Sequence, residues 1–208
     1  MSLQNRVSPF GALVAVPGRG TMMGNRGVLH DDRRRIVRDW QVRRWIACVL
    51  HVPGRRRQVM RPRSYTELFF LDEAVAFAAG HRPCAECRRE DFRRFQRLWL
   101  ARFGGSGRVD EIDSRLHADR LDGRAKRTYR APIENLPDGT FVALDGDAWL
   151  LHAGRLHAWT GAGYAGRRTL PASMVVDVLT PRCSVDIFRA GYAAAVNLPE
   201  RTVADDEV

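Results

Sequence analysis

The sequence predicts an α+β protein: a small basic module with two helices around a Cys-x-x-Cys knuckle, followed by a mainly antiparallel β unit. Three observations lead to this. Residues 1–104 carry 21 basic and 9 acidic side chains, an excess of +12, whereas 105–208 carry 13 and 15, a balance of −2. Phe92, Phe95, Trp99 and Phe103 recur at helical spacing and share one face. Beyond residue 140, short apolar segments alternate with turn pairs at Asp145-Gly146 and Gly154-Arg155, the pattern of a strand meander.

Composition bounds the rest. The 208 residues carry a formal charge of +10 and are 45% hydrophobic, enough apolar material for a packed core, which excludes a disordered chain. No run approaches the roughly 18 apolar residues of a bilayer span, and the N-terminus lacks the order of a secretory signal. A soluble cytoplasmic protein without membrane contact is expected. The expected organisation is a basic module over 1–103, a Gly104-Gly105-Ser106-Gly107 linker over 104–107, an acidic helix with a β-rich unit over 108–203, and a frayed tail over 204–208.

Along the first half, Ala12 to Val16 reads as a strand, and Trp45 to Val52, Pro53-Gly54 and Arg57 to Met60 as strand, turn and strand. Tyr65 to Leu71 is a further strand. Asp72 is placed to cap a short helix through Ala79, closed by Gly80. The second helix runs from about Cys84 to Phe103, its aromatic stripe facing the core. In the second half, Val109 to Leu121 reads as a helix, Thr140 to Thr160 as the meander, Met174 to Thr180 as a strand and Pro181 to Ala190 as a last helix. Gly18-Arg19-Gly20 and Gly24-Asn25-Arg26-Gly27 read as a glycine-rich loop that fits no nucleotide-binding fingerprint.

Four cysteines are too few to staple a chain of this length with disulfides. Cys84 and Cys87, in Pro83-Cys84-Ala85-Glu86-Cys87-Arg88, sit where a loop enters a helix, so both sulfurs can point at one centre. Helix-terminal N–H groups, with Arg82 and Arg88 nearby, favour the thiolates that bind zinc. The most economical second pair is Cys48 and His51, with His30 and His81 as other candidates; 48 and 51 would face opposite ways in a regular strand, so the strand end must twist. Zinc is the expected cofactor. With four protein ligands it would be structural, leaving no position for a reactive water.

The run from Phe69-Phe70-Leu71-Asp72-Glu73-Ala74 to Ala79-Gly80-His81-Arg82-Pro83-Cys84-Ala85-Glu86-Cys87-Arg88 resembles the second half of the Ada-type metal-binding domain. The resemblance covers residues 69–88 and implies a small DNA-associated zinc module, with Cys84 and Cys87 as two of its thiolates. The family's upstream cysteine pair is missing here, with Cys48 and His51 as the candidate substitute, and no Pro-Cys-His-Arg alkyltransferase motif occurs. A nucleobase deaminase would need His-x-Glu or Cys-x-Glu upstream, which is absent. A thioredoxin-like pair would need a βαβ context.

Arg89, Arg93 and Arg97 recur at i, i+4 and i+8, opposite the aromatic stripe, as a row suited to phosphate contacts, and residues 33–63 add eleven arginines against one acid, Asp39. Trp40, Trp45 and Tyr65 are candidate stacking surfaces. The expected function is therefore zinc-stabilised nucleic-acid binding, with DNA favoured. Two other classes remain. One is an enzyme acting on nucleic acid or a charged small molecule, through a three-ligand metal or through Asp113 and His117, one helical turn apart. The other is a protein-interaction module. His152 and His157 face one side of a hairpin, the arrangement of an ordinary cross-strand pair.

Overall fold

The computed structural model describes residues 2–51, 54 and 58–199. The first half supplies β1 (Arg6–Val7), β2 (Leu13–Val14), β3 (Met22–Asn25), β4 (Ile46–Val49), β5 (Leu68–Phe70) and β6 (Arg82–Pro83), joined in the order β2-β1-β5-β3-β4-β6. β7 (Leu121–Asp122) and β8 (Ala125–Lys126) form a small hairpin. The second large sheet takes β9 (Tyr129–Pro132), β10 (Phe141–Leu144), β11 (Asp147–His152), β12 (Arg155–Trp159), β13 (Tyr164–Arg168) and β14 (Val175–Val178) in the order β13-β12-β11-β10-β14-β9. The helices are α1 (Glu73–Ala78), α2 (Arg89–Phe103), α3 (Val109–Arg120) and α4 (Arg182–Arg189). Among the described residues this is a mixed α+β fold whose pairings are mostly antiparallel.

Helix α1 is central and buried at every position, with β5 on one side and β10 on the other. Its six residues are too few to be stable alone, so the caps and the packing hold it. Asp72 caps it as the sequence predicts. Its carboxylate accepts from Val75 N–H (2.9 Å), from Tyr164 Oη (2.7 Å) and from Asn197 N–H (2.9 Å). Glu73, also buried, accepts from Tyr192 Oη (2.7 Å) and Ala195 N–H (3.0 Å) and pairs with Arg88 (2.7 Å). The C-terminal stretch 192–197 is thereby tied over the start of α1. Asp72→Ala removes one acceptor from three donors and is expected to cost about 2–4 kcal/mol in denaturant unfolding. A change below about 0.5 kcal/mol would refute the assignment.

One apolar core joins residues from both halves: Val7, Leu68, Phe70 and Val75 pack with Phe141, Leu150 and Leu179. Residues 104–107 connect α2 to α3, and these two helices meet α4 in a second cluster around Phe95, Trp99, Ile112, Leu116 and Ile187. The aromatic stripe of α2 is thus core, with Phe92, Phe95 and Trp99 buried. The expected tail, 204–208, lies outside the described residues, as do Val52, Pro53 and Arg57 of the expected strand and turn; residues 58–60 are not strand.

The second helix begins at Arg89, not near Cys84, and two glycine-bearing segments are also read differently. The glycine-rich segment contains a strand, β3, which pairs with both β4 and β5. Gly24 is required there because a Cβ would lie 2.1 Å from Ile46 O and 2.9 Å from the Phe70 ring. The glycine thus admits a close backbone approach inside a sheet. The second hairpin turn is Ala153-Gly154, not Gly154-Arg155, because Arg155 pairs with His152. Both central residues have positive φ, 50° and 71°, which a two-residue turn of this hand requires. His157 therefore stands opposite Leu150 and diagonal to His152, ring centroids 6.4 Å apart.

Candidate metal centre

Strand register brings the cysteines together. β6 runs parallel to β4, with Ile46 opposite Arg82 and Ala47 opposite Pro83. One further step in that register sets Cys48 beside Cys84, whose N–H donates to Ala47 O at 2.9 Å. A single turn of chain, closed by Arg88 N–H to Cys84 O at 3.1 Å, then returns Cys87 to the same place ahead of α2. The three sulfurs lie within 4.8 Å of one another, against a wall of Met23, Ile46 and Phe69. Cys48 and Cys84 are buried and Cys87 is half-buried.

The sulfurs share protons unequally. A hydrogen bond from Cys48 lowers the Cys84 thiol to about 5 against its own burial, helped by the backbone N–H groups of Cys87 and Glu86. The same bond raises Cys48, and burial raises Cys87. These hydrogen bonds favour a thiolate within the group, at Cys84 before the other two. The flanking arginines expected to favour it are engaged elsewhere: Arg82 with Asp113, and Arg88 with Glu73 and Asp91. The stabilisation comes from the neighbouring thiol and the backbone instead. A cluster of three cysteines that could bind a metal ion is therefore present.

The other candidates fall in different places. His51 is exposed just past the end of β4 and is not in the group of clustered ligand atoms. His30 is buried, with Nδ1 2.6 Å from Thr66 Oγ1 and Nε2 3.2 Å from Arg61 O. His81 is fully buried, edge-on to Phe70, and its Nε2 accepts from Arg26 Nε at 3.3 Å. Burial, then the charges of Arg26 and Arg120, holds its pKa far below the usual histidine range, so the ring is neutral.

Asp113 is buried and forms a two-bonded pair with Arg82, Oδ1 to Nε and Oδ2 to Nη2, both 2.8 Å. His117, one turn on, lies edge-on to Trp40 with ring centroids 4.6 Å apart and turns Nδ1 toward Arg120 Nη2 at 2.9 Å. The carboxylate and the imidazole thus have separate partners. Arg89, Arg93 and Arg97 are all exposed along α2, on the side away from the buried stripe.

Comparison with family models, with curated proteins and with solved structures finds no match to this chain. Among the described residues no helix is long and apolar enough to cross a membrane.

Proposed function

We propose that this protein binds nucleic acid, DNA in preference, through a basic surface whose geometry is held by zinc at Cys48, Cys84 and Cys87. The observation that carries the reading is the convergence of three sulfurs within 4.8 Å at the foot of a helix bearing exposed Arg89, Arg93 and Arg97. Tetrahedral zinc at about 2.3 Å from each sulfur needs sulfurs about 3.8 Å apart, inside the 4.8 Å within which all three lie. Soft thiolate donors select zinc over magnesium or calcium. Bound zinc would tie β4, β6 and the start of α2 into one unit, fixing the arginine row relative to the sheet. His51 is the candidate fourth ligand, which requires the chain beyond β4 to turn it inward.

The interface is tested by anisotropy titration of duplex DNA at several salt concentrations. Each phosphate neutralised contributes about −0.9 to the log–log salt slope. The triple variant Arg89→Gln, Arg93→Gln, Arg97→Gln should flatten the slope by up to about 3 and weaken binding without changing the melting temperature, since all three are exposed. A slope identical to that of the parent protein would remove these residues from the interface.

A second reading is favoured by one observation: among the described residues only three metal-ligating atoms converge, so zinc could keep one position for water or substrate, as catalytic sites do. His51→Ala separates the two. It weakens zinc binding if His51 closes the site and leaves it unchanged if that position is open.

A further inference from the structure

A set of cations lies apart from the sulfurs, with Arg26 and Arg120 buried, Lys126 half-buried and Arg124 exposed. Arg26 follows β3, Arg120 ends α3, Lys126 lies in β8 and Arg124 in the turn before it; with Trp40 and Trp45 they line a cavity of about 220 Å³. That is far above the roughly 10–15 Å³ one water needs, so the space can take a polyatomic group. Trp45 is clasped between two guanidinium groups, Arg26 Cζ 4.0 Å and Arg120 Cζ 3.9 Å from its ring centroid. Both arginines are 1% exposed.

Their hydrogen bonds go to neutral groups. Arg26 donates to Gly11 O (2.9 Å) and His81 Nε2 (3.3 Å), and Arg120 to Gly80 O (2.9 Å), Arg43 O and His117 Nδ1 (2.9 Å). Lys126 Nζ donates to Ala78 O. Arg26 Nη2 and Arg120 Nε have no partner among the described residues. The nearby carboxylates are engaged elsewhere: Asp113 with Arg82, Asp119 with Cys183 N–H, and Asp39, on the cavity rim, with Arg124 at 3.7 Å. Burial lowers Arg26 and Arg120 to about 9, and burial with the charges of those two arginines lowers Lys126 to about 7. Proteins pair buried charges, because an uncompensated one loses its hydration without return. Arg26, Arg120 and Lys126 each feel a carboxylate through space, Asp39, Asp113 and Asp119 in turn, but among the described residues none is bonded to one. Three such cations around one cavity are arranged for an anion.

We propose that this cavity binds a phosphate group, with Arg26, Arg120 and Lys126 around it and Arg124 at the rim, released from Asp39. Three to four positive charges match a doubly charged oxyanion, and guanidinium forks suit its tetrahedral oxygens better than a lone carboxylate would. The volume accommodates a phosphate group with room beside it for part of a small carrier. The source is thus a free phosphate or small monoester, or the terminal phosphate of a nucleic-acid strand. The inference does not depend on the sulfur cluster.

The test is calorimetric titration of the full-length protein with inorganic phosphate at low ionic strength. One-to-one saturable binding is expected, weakened at least tenfold by Arg124→Gln, whose side chain is 84% exposed and can be replaced without harming the core, and by Lys126→Gln. Arg130→Gln, at an exposed position on β9, should leave it unchanged. Lys126 is the chain's only lysine and provides an independent readout. Pyridoxal 5′-phosphate condenses with its amine, losing water, and borohydride reduces the imine to a secondary amine. Lys126 should be labelled in preference to the α-amino group, inorganic phosphate should protect it, and pyridoxal without phosphate should label it less.

Oligonucleotides with and without a 5′-phosphate distinguish the sources. A tenfold gain from the phosphate, lost in Arg124→Gln, identifies a strand terminus; equal affinity for inorganic phosphate and the phosphorylated strand identifies a small ligand. Absence of saturable phosphate binding, or binding unaltered in both variants, overturns the proposal. Duplex binding with the expected salt slope would survive that result, so the two readings fail separately.

Discussion

Purified protein is expected to carry about one zinc per chain, and Cys84→Ser is expected to lose it together with at least about 3 kcal/mol of stability. The size of the effect follows from the position of Cys84. It links the parallel β4/β6 pairing to the start of α2 and carries the thiolate that its neighbours stabilise. Zinc-finger peptides gain about 10–16 kcal/mol from their metal because nothing else holds them. This protein has an extensive apolar core besides, so the loss is smaller and centred on 46–49 and 82–88. Elemental analysis measures the zinc, and denaturant unfolding before and after chelation measures its contribution. Cys183→Ser serves as the control, because Cys183 lies in a separate buried cluster with Ile187 and Phe188. Metal-free protein that melts with the same midpoint before and after Cys84→Ser would overturn the metal-centre assignment.

Asp113→Ala is expected to cost about 3–5 kcal/mol, roughly a 10 °C fall in melting temperature for a chain of this size. Removing the carboxylate leaves the Arg82 guanidinium, 1% exposed, without its counter-charge. Arg82 stands two residues before Cys84 in the chain, so the variant should also hold zinc less tightly. The double variant Arg82→Met, Asp113→Leu removes both charges and should recover much of the loss. If Asp113 instead orients His117 for catalysis, Asp113→Ala would melt like the parent and lose only activity. Its two 2.8 Å bonds to Arg82 favour the structural outcome.

Local signals in the sequence carried far. The stripe of Phe92, Phe95 and Trp99 located α2 and its buried face, because a helix repeats its side chains within a few residues. Asp72 before an apolar run located α1, because a cap bonds to N–H groups within one turn. Pro83-Cys84-Ala85-Glu86-Cys87 marked a knuckle for the same reason: one turn brings both sulfurs together. Where a cue was ambiguous it misled. Glycines at 18–27 read as a loop, although Gly24 admits the backbone of β4. The short β9 and β13 carried too little alternation to register.

What the sequence determined by itself was therefore the helices, the meander, the basic bias and two of the three clustered sulfurs, with the third as a candidate. Tertiary structure alone decided that Cys48 joins them, through a parallel pairing that spans the 35 residues between Cys48 and Cys84. It also drew Asp113 to Arg82 and gathered Arg26, Arg120 and Lys126, which lie about a hundred positions apart at the extremes. Nothing local announces such groups. Each member is an ordinary surface residue in sequence, and only burial changes what its charge costs and which partner it must find.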